Sequence, residues 1–242
     1  LSLSFKVPAN PKVASSTDSI SIDGIEIGID SDFSKIDWQQ IETESKEKCA
    51  QIILQASIRK LHIWKWQEST QLAQLGLRIS REEDTRDELL NVIAACFAML
   101  GETRKSMDAL KQAVAGKWNL NLQTNLVLVA MGESPETAVE HLSHLILGAK
   151  SLSDRLGACH LASELWEKLN KNRDGGEDLP LPLSVSNAFY SLLAQPDLSE
   201  KDFFLLGISL ADSNPAEFMR QKVVSKSPHR NTVSARMLEA AA

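Results

Sequence analysis

Between Thr85 and Lys150 the chain bends back on itself twice at a Gly corner, and that stretch limits the fold more than any other. Its first half reads DELLNVIAACFAMLGETRKSMDALKQAV (Asp87 to Val114), its second LQTNLVLVAMGESPETAVEHLSHLIL (Leu122 to Leu147). Laying Gly101 on Gly132 aligns an apolar first helix and an amphipathic second helix in each half, a unit of roughly thirty residues. One such pair cannot bury its own apolar face, so copies stack into a helical solenoid. The expected object is all-α: antiparallel helix pairs forming a stacked binding scaffold.

Residues 1–35 belong to a different composition class. Pro8, Pro11 and Ser15-Ser16-Thr17 read as extended, mobile chain. In SISIDGIEIGID, Ile20, Ile22, Ile25, Ile27 and Ile29 alternate with polar residues around Asp23-Gly24. That pattern signals a short β-hairpin, because a type I′ turn needs positive φ at both central positions. A lone two-stranded hairpin is marginal in water. This one therefore packs on the helical body, adds to another sheet, or orders on a partner. From Asp18 to Glu44, Asp18, Asp23, Glu26, Asp30, Asp32, Asp37, Glu42 and Glu44 stand against the single Lys35. They read as a solvated acidic linker, or as a docking segment for a basic or strand-accepting partner.

Ser34 with Asp37 makes a capping box that opens a first long helix. Its stripe of Ile41, Ile52, Ile53, Ala56, Leu61 and Trp64 carries it to about Trp66. A second helix spans Ser69 to Ile79, making a less regular pair. After Lys150, Leu152, Leu156, Ala158, Leu161, Leu165 and Trp166 share one face of a further helix, which the run from Asn170 to Gly176 ends. Pro180 and Pro182 extend the linker. Helices are expected from Ser184 to Ala194, from Ser199 to Asp212, and from Asn214 (Pro215 at its first position) to near Val223. Arg220, Lys222, Lys226, Arg230 and Arg236, with no carboxylate between them, surround Ser225, Ser227, Thr232 and Ser234. They read as a mobile solvated tail, or one whose charge phosphorylation sets. The resulting division is 1–35, an acidic extended or hairpin segment; 36–172, helical repeats; 173–183, a linker; 184–223, capping helices; and 224–242, a basic tail.

The pair from Thr85 to Ala115 resembles the tetratricopeptide repeat (TPR) family. Ala94 falls where that family places its small first-helix residue, Gly101 at the inter-helix corner, and Ser106 at the next small site. Leu110 and Ala113 take the packing positions of the second helix. In the following unit Gly132 is the corner, with Ala138, Leu142 and Leu145 after it. Asn125 stands in place of the small residue, and neither unit carries the aromatic that commonly precedes it. The resemblance covers roughly residues 45–170, with HEAT-like or irregular helix pairs as alternatives. It implies a right-handed superhelix, a TPR-like solenoid, whose first helices line a groove.

Composition removes several functions. A net charge of -6 argues against a general nucleic-acid or anionic-membrane surface. No apolar run reaches the roughly 18 residues of a membrane span. Cys49, Cys96 and Cys159 read as buried free thiols, which suits a reducing, cytoplasmic setting. Leu1 is no natural start, so the chain reads as an excised piece, and Leu238 to Ala242 read as appended residues. Phosphate loops, nucleophile elbows, His-Glu-x-x-His and paired Cys-x-x-Cys motifs are missing from the sequence. His141 and His144 lie one turn apart, with Cys159 and His160 on the next helix, and such a set suits zinc. The same His residues fit the polar margin of an ordinary repeat helix, and no metal or other cofactor is expected.

The function these features favour is a non-catalytic protein–protein interaction module, an adaptor or scaffold subunit that binds a peptide or partner helix. Asn91, Asn121, Gln123 and Asn125 read as exposed polar positions on the first helices, suited to the backbone of an extended ligand. Ile20, Ile22, Ile25 and Ile27 are the partner-binding candidates of the N-terminal segment. Two alternatives stay open: a self-associating subunit that forms homo-oligomers through that segment, and a helical enzyme or ligand-binding domain.

Overall fold

A computed structural model of the chain describes residues 6, 19–22, 25–115, 117–171, 182–213 and 223–241. The Pro8 to Thr17 stretch, the Asp23-Gly24 turn, linker residues 172–181 and most of the helix expected from Asn214 lie outside the described residues. Two compact units divide at Gly132, inside the region expected to form one repeat array. The described residues are mostly helical, with one small antiparallel sheet. No helix among them is long and apolar enough to cross a membrane.

In the first unit, strands β1 (Ile20–Ile22) and β2 (Ile25–Ile27) pair Ile20 with Ile27 and Ile22 with Ile25. Alternation along a strand sets Ile20 and Ile22 on one face. Ile27, 1% exposed, joins Phe33, Ile41, Cys49, Ile52, Ile53 and Ala56 in a core cluster, with Ile20 and Ile22 packed against it. The hairpin therefore folds onto the helical body of its own chain.

Five helices follow: α1 (Thr43–His62), α2 (Trp66–Ile79), α3 (Glu83–Met99), α4 (Thr103–Ala113) and α5 (Leu120–Met131). The first starts later than the capping box at Ser34 implied. Ser34 lies in a 3-10 turn, Phe33–Lys35, where Asp32 Oδ1 accepts from the Ser34 amide (3.3 Å) and hydroxyl (2.6 Å). Asp37 accepts from the Gln39 amide in the same way (3.1 Å). Such local bonds give the backbone an alternative to helix.

The first helix also stops early, and its end shows an order the sequence hid. Lys65 N–H donates to Lys60 O and Trp64 N–H to Leu61 O, with Trp64 at φ 64°. Glu102 N–H donates to Phe97 O and Gly101 N–H to Ala98 O, with Gly101 at φ 77°. Both are Schellman ends, which place a left-handed residue just past the helix. The Ser69 hydroxyl then donates to Ser57 O (2.7 Å), and the Ser106 hydroxyl to Ala94 O (2.8 Å). Every one of these matches is offset by 37 residues (57 to 94, 64 to 101, 69 to 106). The first two helix pairs thus share these bonds and corners at one offset, with Trp64 where the second has Gly101.

Trp64 is 79% exposed and gains nothing from burial. A left-handed conformation costs a residue with a Cβ roughly 1–2 kcal/mol, and glycine gives part of that back through unfolded-state entropy. Trp64→Gly should therefore raise stability by up to about 1 kcal/mol. A lowered Tm would contradict this account of the corner.

Glu47 on α1 accepts from the Ser80 hydroxyl (2.7 Å) and the Arg81 and Glu82 amides (2.9 and 3.2 Å), so it ties the start of α3 to α1. Burial opposes its ionisation, but these donors outweigh burial and hold the carboxyl below its usual range. Between the pairs, Gly76 lets α3 come close, since a Cβ there would lie 2.8 Å from a Leu89 methyl. Ala94, 0% exposed, sits at the α3–α4 crossing that the Ser106 bond marks. Ala94→Trp should overpack it and cost roughly 1–3 kcal/mol; an unchanged melting curve would remove Ala94 from the core. Gly132 ends α5 with φ -78°, so this corner differs in backbone from Gly101.

The second unit contains α6 (Pro135–Leu147), α7 (Leu152–Lys171), α8 (Leu183–Leu193), α9 (Glu200–Ser213), α10 (Val223–Lys226) and α11 (Val233–Ala241). Ser134 caps α6 by accepting from the Thr137 amide (3.2 Å). Ser151 and Ser199 do the same for α7 and α9, each paired with an Asp three residues on. Residues 224–241 correct the expectation that 224–242 is a solvated tail. α11 packs on α9, with Ala235 and Leu238 fully buried and Val224 and Ser227 nearly so. The His229 ring lies 5.4 Å from that of Phe203, its Nε2 2.5 Å from Leu198 O, and Ser234 donates to Glu200 (2.7 Å).

Candidate functional site

Asn91 on α3 and Asn125 on α5 are 3% and 0% exposed, so the expectation of exposed groove residues fails for both. A buried carboxamide left unpaired costs about 1–3 kcal/mol. These two are paired, first with each other: Asn125 Nδ2 donates to Asn91 Oδ1 at 2.7 Å. That bond joins positions 34 residues apart. Superposing the two Gly corners had set Asn125 against Ala94; the structure sets it against Asn91.

The remaining atoms of both carboxamides hold the main chain of one distant residue. Lys6 N–H donates to Asn125 Oδ1 (2.8 Å), and Lys6 O accepts from Asn91 Nδ2 (3.0 Å) and Asn125 Nδ2 (3.3 Å). The orientation is forced. A backbone N–H can only donate, so Asn125 must turn its oxygen to it and its nitrogen to Asn91. Lys6 itself is exposed. Its N–H and C=O are read; its side chain lies outside this network.

The other expected site residues do not join this clamp. Asn121, one turn before Asn125 and on the same helix face, is exposed. Gln123 is buried (7% exposed), with its Oε1 unpaired. Ile27 is buried in the core cluster, and Ile20 and Ile22 are partly buried against it. The side chain of Ile25 lies outside the described residues. Sequence reasoning found Asn91 and Asn125 but missed Lys6, which carries no mark of its own.

Asp84, Asp87 and Glu88 precede Asn91 on the same face of α3, at spacings of seven, four and three. Burial, and then repulsion from Glu83 and Asp84, pushes the Asp87 carboxyl up to about 6, against the pull of Lys117 and Arg86. Burial and Asp84 also raise Glu88. A carboxyl whose folded pKa is raised destabilises the fold as pH climbs from its unfolded value through the folded one. Asp87→Asn should therefore raise Tm at pH 7.5, with the gain vanishing below about pH 4. An equal gain at both pH values would sink that account.

Among the described residues no three His, Cys, Asp or Glu side chains gather as a metal site. The His141 and His144 rings lie 6.4 Å apart, and His141 is buried. All three thiols are buried and free, and burial pushes Cys159 up to about 12, far from a reactive thiolate. A hollow of about 360 Å³ lies beside the 3-10 turn, lined in part by Phe33, Leu72 and Leu75. Its Lys60 and Glu68 are already joined at 2.7 Å. No protein-family model, curated protein or solved structure matches the chain.

Proposed function

We propose that this chain is a non-catalytic protein–protein interaction module, an adaptor or scaffold subunit whose TPR-like helix pairs hold an extended polypeptide segment. The observation that carries the reading is the Asn91–Asn125 clamp on both main-chain groups of Lys6. A side-chain pair that meets N–H and C=O of one residue is a device for gripping extended backbone, and adjacent first helices are where the resembled family binds peptides. The 37-residue offset shared by α1–α2 and α3–α4 supports the repeat character of the body.

The test is a random peptide library panned on the chain, with enriched peptides titrated calorimetrically against wild type and Asn91→Leu/Asn125→Leu. Enriched peptides should lose roughly tenfold or more in affinity on the double variant, about 1.4 kcal/mol. Peptides that bind both proteins alike would sink the reading.

Self-association is the second reading, favoured by the same bonds, since another copy carries the same Lys6 segment. A mass that grows with concentration in wild type, and not in the double variant, would select it.

A further inference from the structure

We infer that the main chain of Lys6 is the resident occupant of a clamp that serves partner polypeptides, so that a partner must displace it, and that the clamp accepts any residue there except proline. The inference rests on the interaction-module reading above and adds to it the chemistry and the regulation of the site.

Three observations lead to it. The bonds are non-local: Lys6 stands 85 residues from Asn91 and 119 from Asn125 in sequence. Nothing in the local geometry of α3 or α5 requires this segment, and a separate peptide presenting the same main chain meets the same three atoms, Asn91 Nδ2, Asn125 Oδ1 and Asn125 Nδ2. A tethered segment acts at an effective concentration of roughly millimolar, so a partner in solution competes at a disadvantage.

The second observation is that the Lys6 side chain is exposed while its main chain is held. Side-chain identity at the clamped residue is therefore free. Proline alone fails, because it has no N–H to give Asn125 Oδ1.

The third is that both carboxamides are buried, and each of their nitrogens and oxygens has a partner. A site of this polarity needs an occupant with one donor and one acceptor at the spacing of the N–H and C=O of a single residue. An apolar helix face cannot supply them, which makes an extended segment the partner class.

The experiment uses the full chain with a fluorescent peptide carrying the sequence of residues 1–12, read by anisotropy. Lys6→Pro loosens the resident segment, Lys6→Ala leaves its main chain intact, and melting curves confirm that each variant is folded. Lys6→Pro should bind the peptide at least roughly tenfold more tightly than wild type, and Lys6→Ala like wild type. Equal affinity of Lys6→Pro and wild type would overturn displacement while leaving the interaction reading standing. No binding to folded Lys6→Pro would overturn that reading too. A second pair of peptides tests the readout: alanine at the sixth position should bind as the parent does, and proline there should not. A proline peptide that binds equally well would overturn main-chain recognition.

Discussion

Leu238→Ala should lower the unfolding free energy by about 2–5 kcal/mol, as a buried leucine truncated in a core does. Leu238 is 0% exposed, although it stands four residues before the last residue of the sequence. It fills the space over Gly207, where a Cβ would come within 2.5 Å of a Leu238 methyl. The close approach of α11 to α9 thus depends on glycine at 207 and leucine at 238 together. Urea denaturation supplies the measurement, with exposed Arg236→Ala as a control expected within about 0.5 kcal/mol of wild type. A Leu238→Ala effect as small as the control would return residues 224–242 to a solvated tail.

The reason this segment read as a tail is physical. α11 is short and buries Ala235 and Leu238. Two buried side chains, one of them alanine, make a weak apolar stripe against Arg230, Arg236 and four hydroxyl residues. What holds the segment comes from α9 and the turn before it: Phe203 against His229, Leu198 O on the same ring, Glu200 on Ser234. Composition describes a segment's own side chains and says nothing of the surface prepared for them elsewhere.

Where burial follows local periodicity, the sequence was readable. Alternating isoleucines gave the hairpin its buried face, and Ala94, Ser106, Leu110 and Ala113 are all buried at the α3–α4 pair. Helix ends were harder, because Asp32 and Asp37 bind backbone locally and hold off the helix that Ser34 appeared to start. The correspondence of α1–α2 with α3–α4 is hidden in the sequence because the first corner uses Trp64, a residue that propensity does not place at positive φ. The spacing was still there to find, in Ser57 and Ser69 against Ala94 and Ser106.

The clamp was half legible. Asparagine on an otherwise apolar helix is unfavourable when buried without partners, so exposure was the reasonable expectation for Asn91 and Asn125. Their burial is made tolerable by a backbone segment 85 and 119 residues away, and no pattern within α3 or α5 records that. The 34-residue interval between the two asparagines was the available signal. It went unused because the Gly corners proposed a different register, and those corners differ in backbone.

Asn125→Asp should cost about 3–5 kcal/mol at neutral pH, the scale of an uncompensated buried charge. The change is isosteric, so neither a cavity nor a clash can account for the loss. The oxygen that accepts from Lys6 N–H remains; the nitrogen becomes a second oxygen. That oxygen faces Asn91 Oδ1, now 2.7 Å from the nitrogen, and Lys6 O, 3.3 Å away, both acceptors. Burial and the facing oxygens raise the pKa of the new carboxyl above its unfolded value of about 3.9. The sign follows: at pH values below the unfolded pKa both states are protonated, and the acid O–H can donate to Asn91 Oδ1 as the amide did. Stability should then fall as pH rises through the folded pKa, so the deficit against wild type is small at pH 3.5 and full at pH 7.5. Parallel denaturation curves at those two pH values measure it. A deficit that is constant with pH would mean the cost is steric, and one under about 1 kcal/mol would mean Asn125 is not buried against these acceptors. Asparagine combines a donor and an acceptor in a side chain of this size. The clamp needs both on one residue, and aspartate at this position can supply both only when protonated.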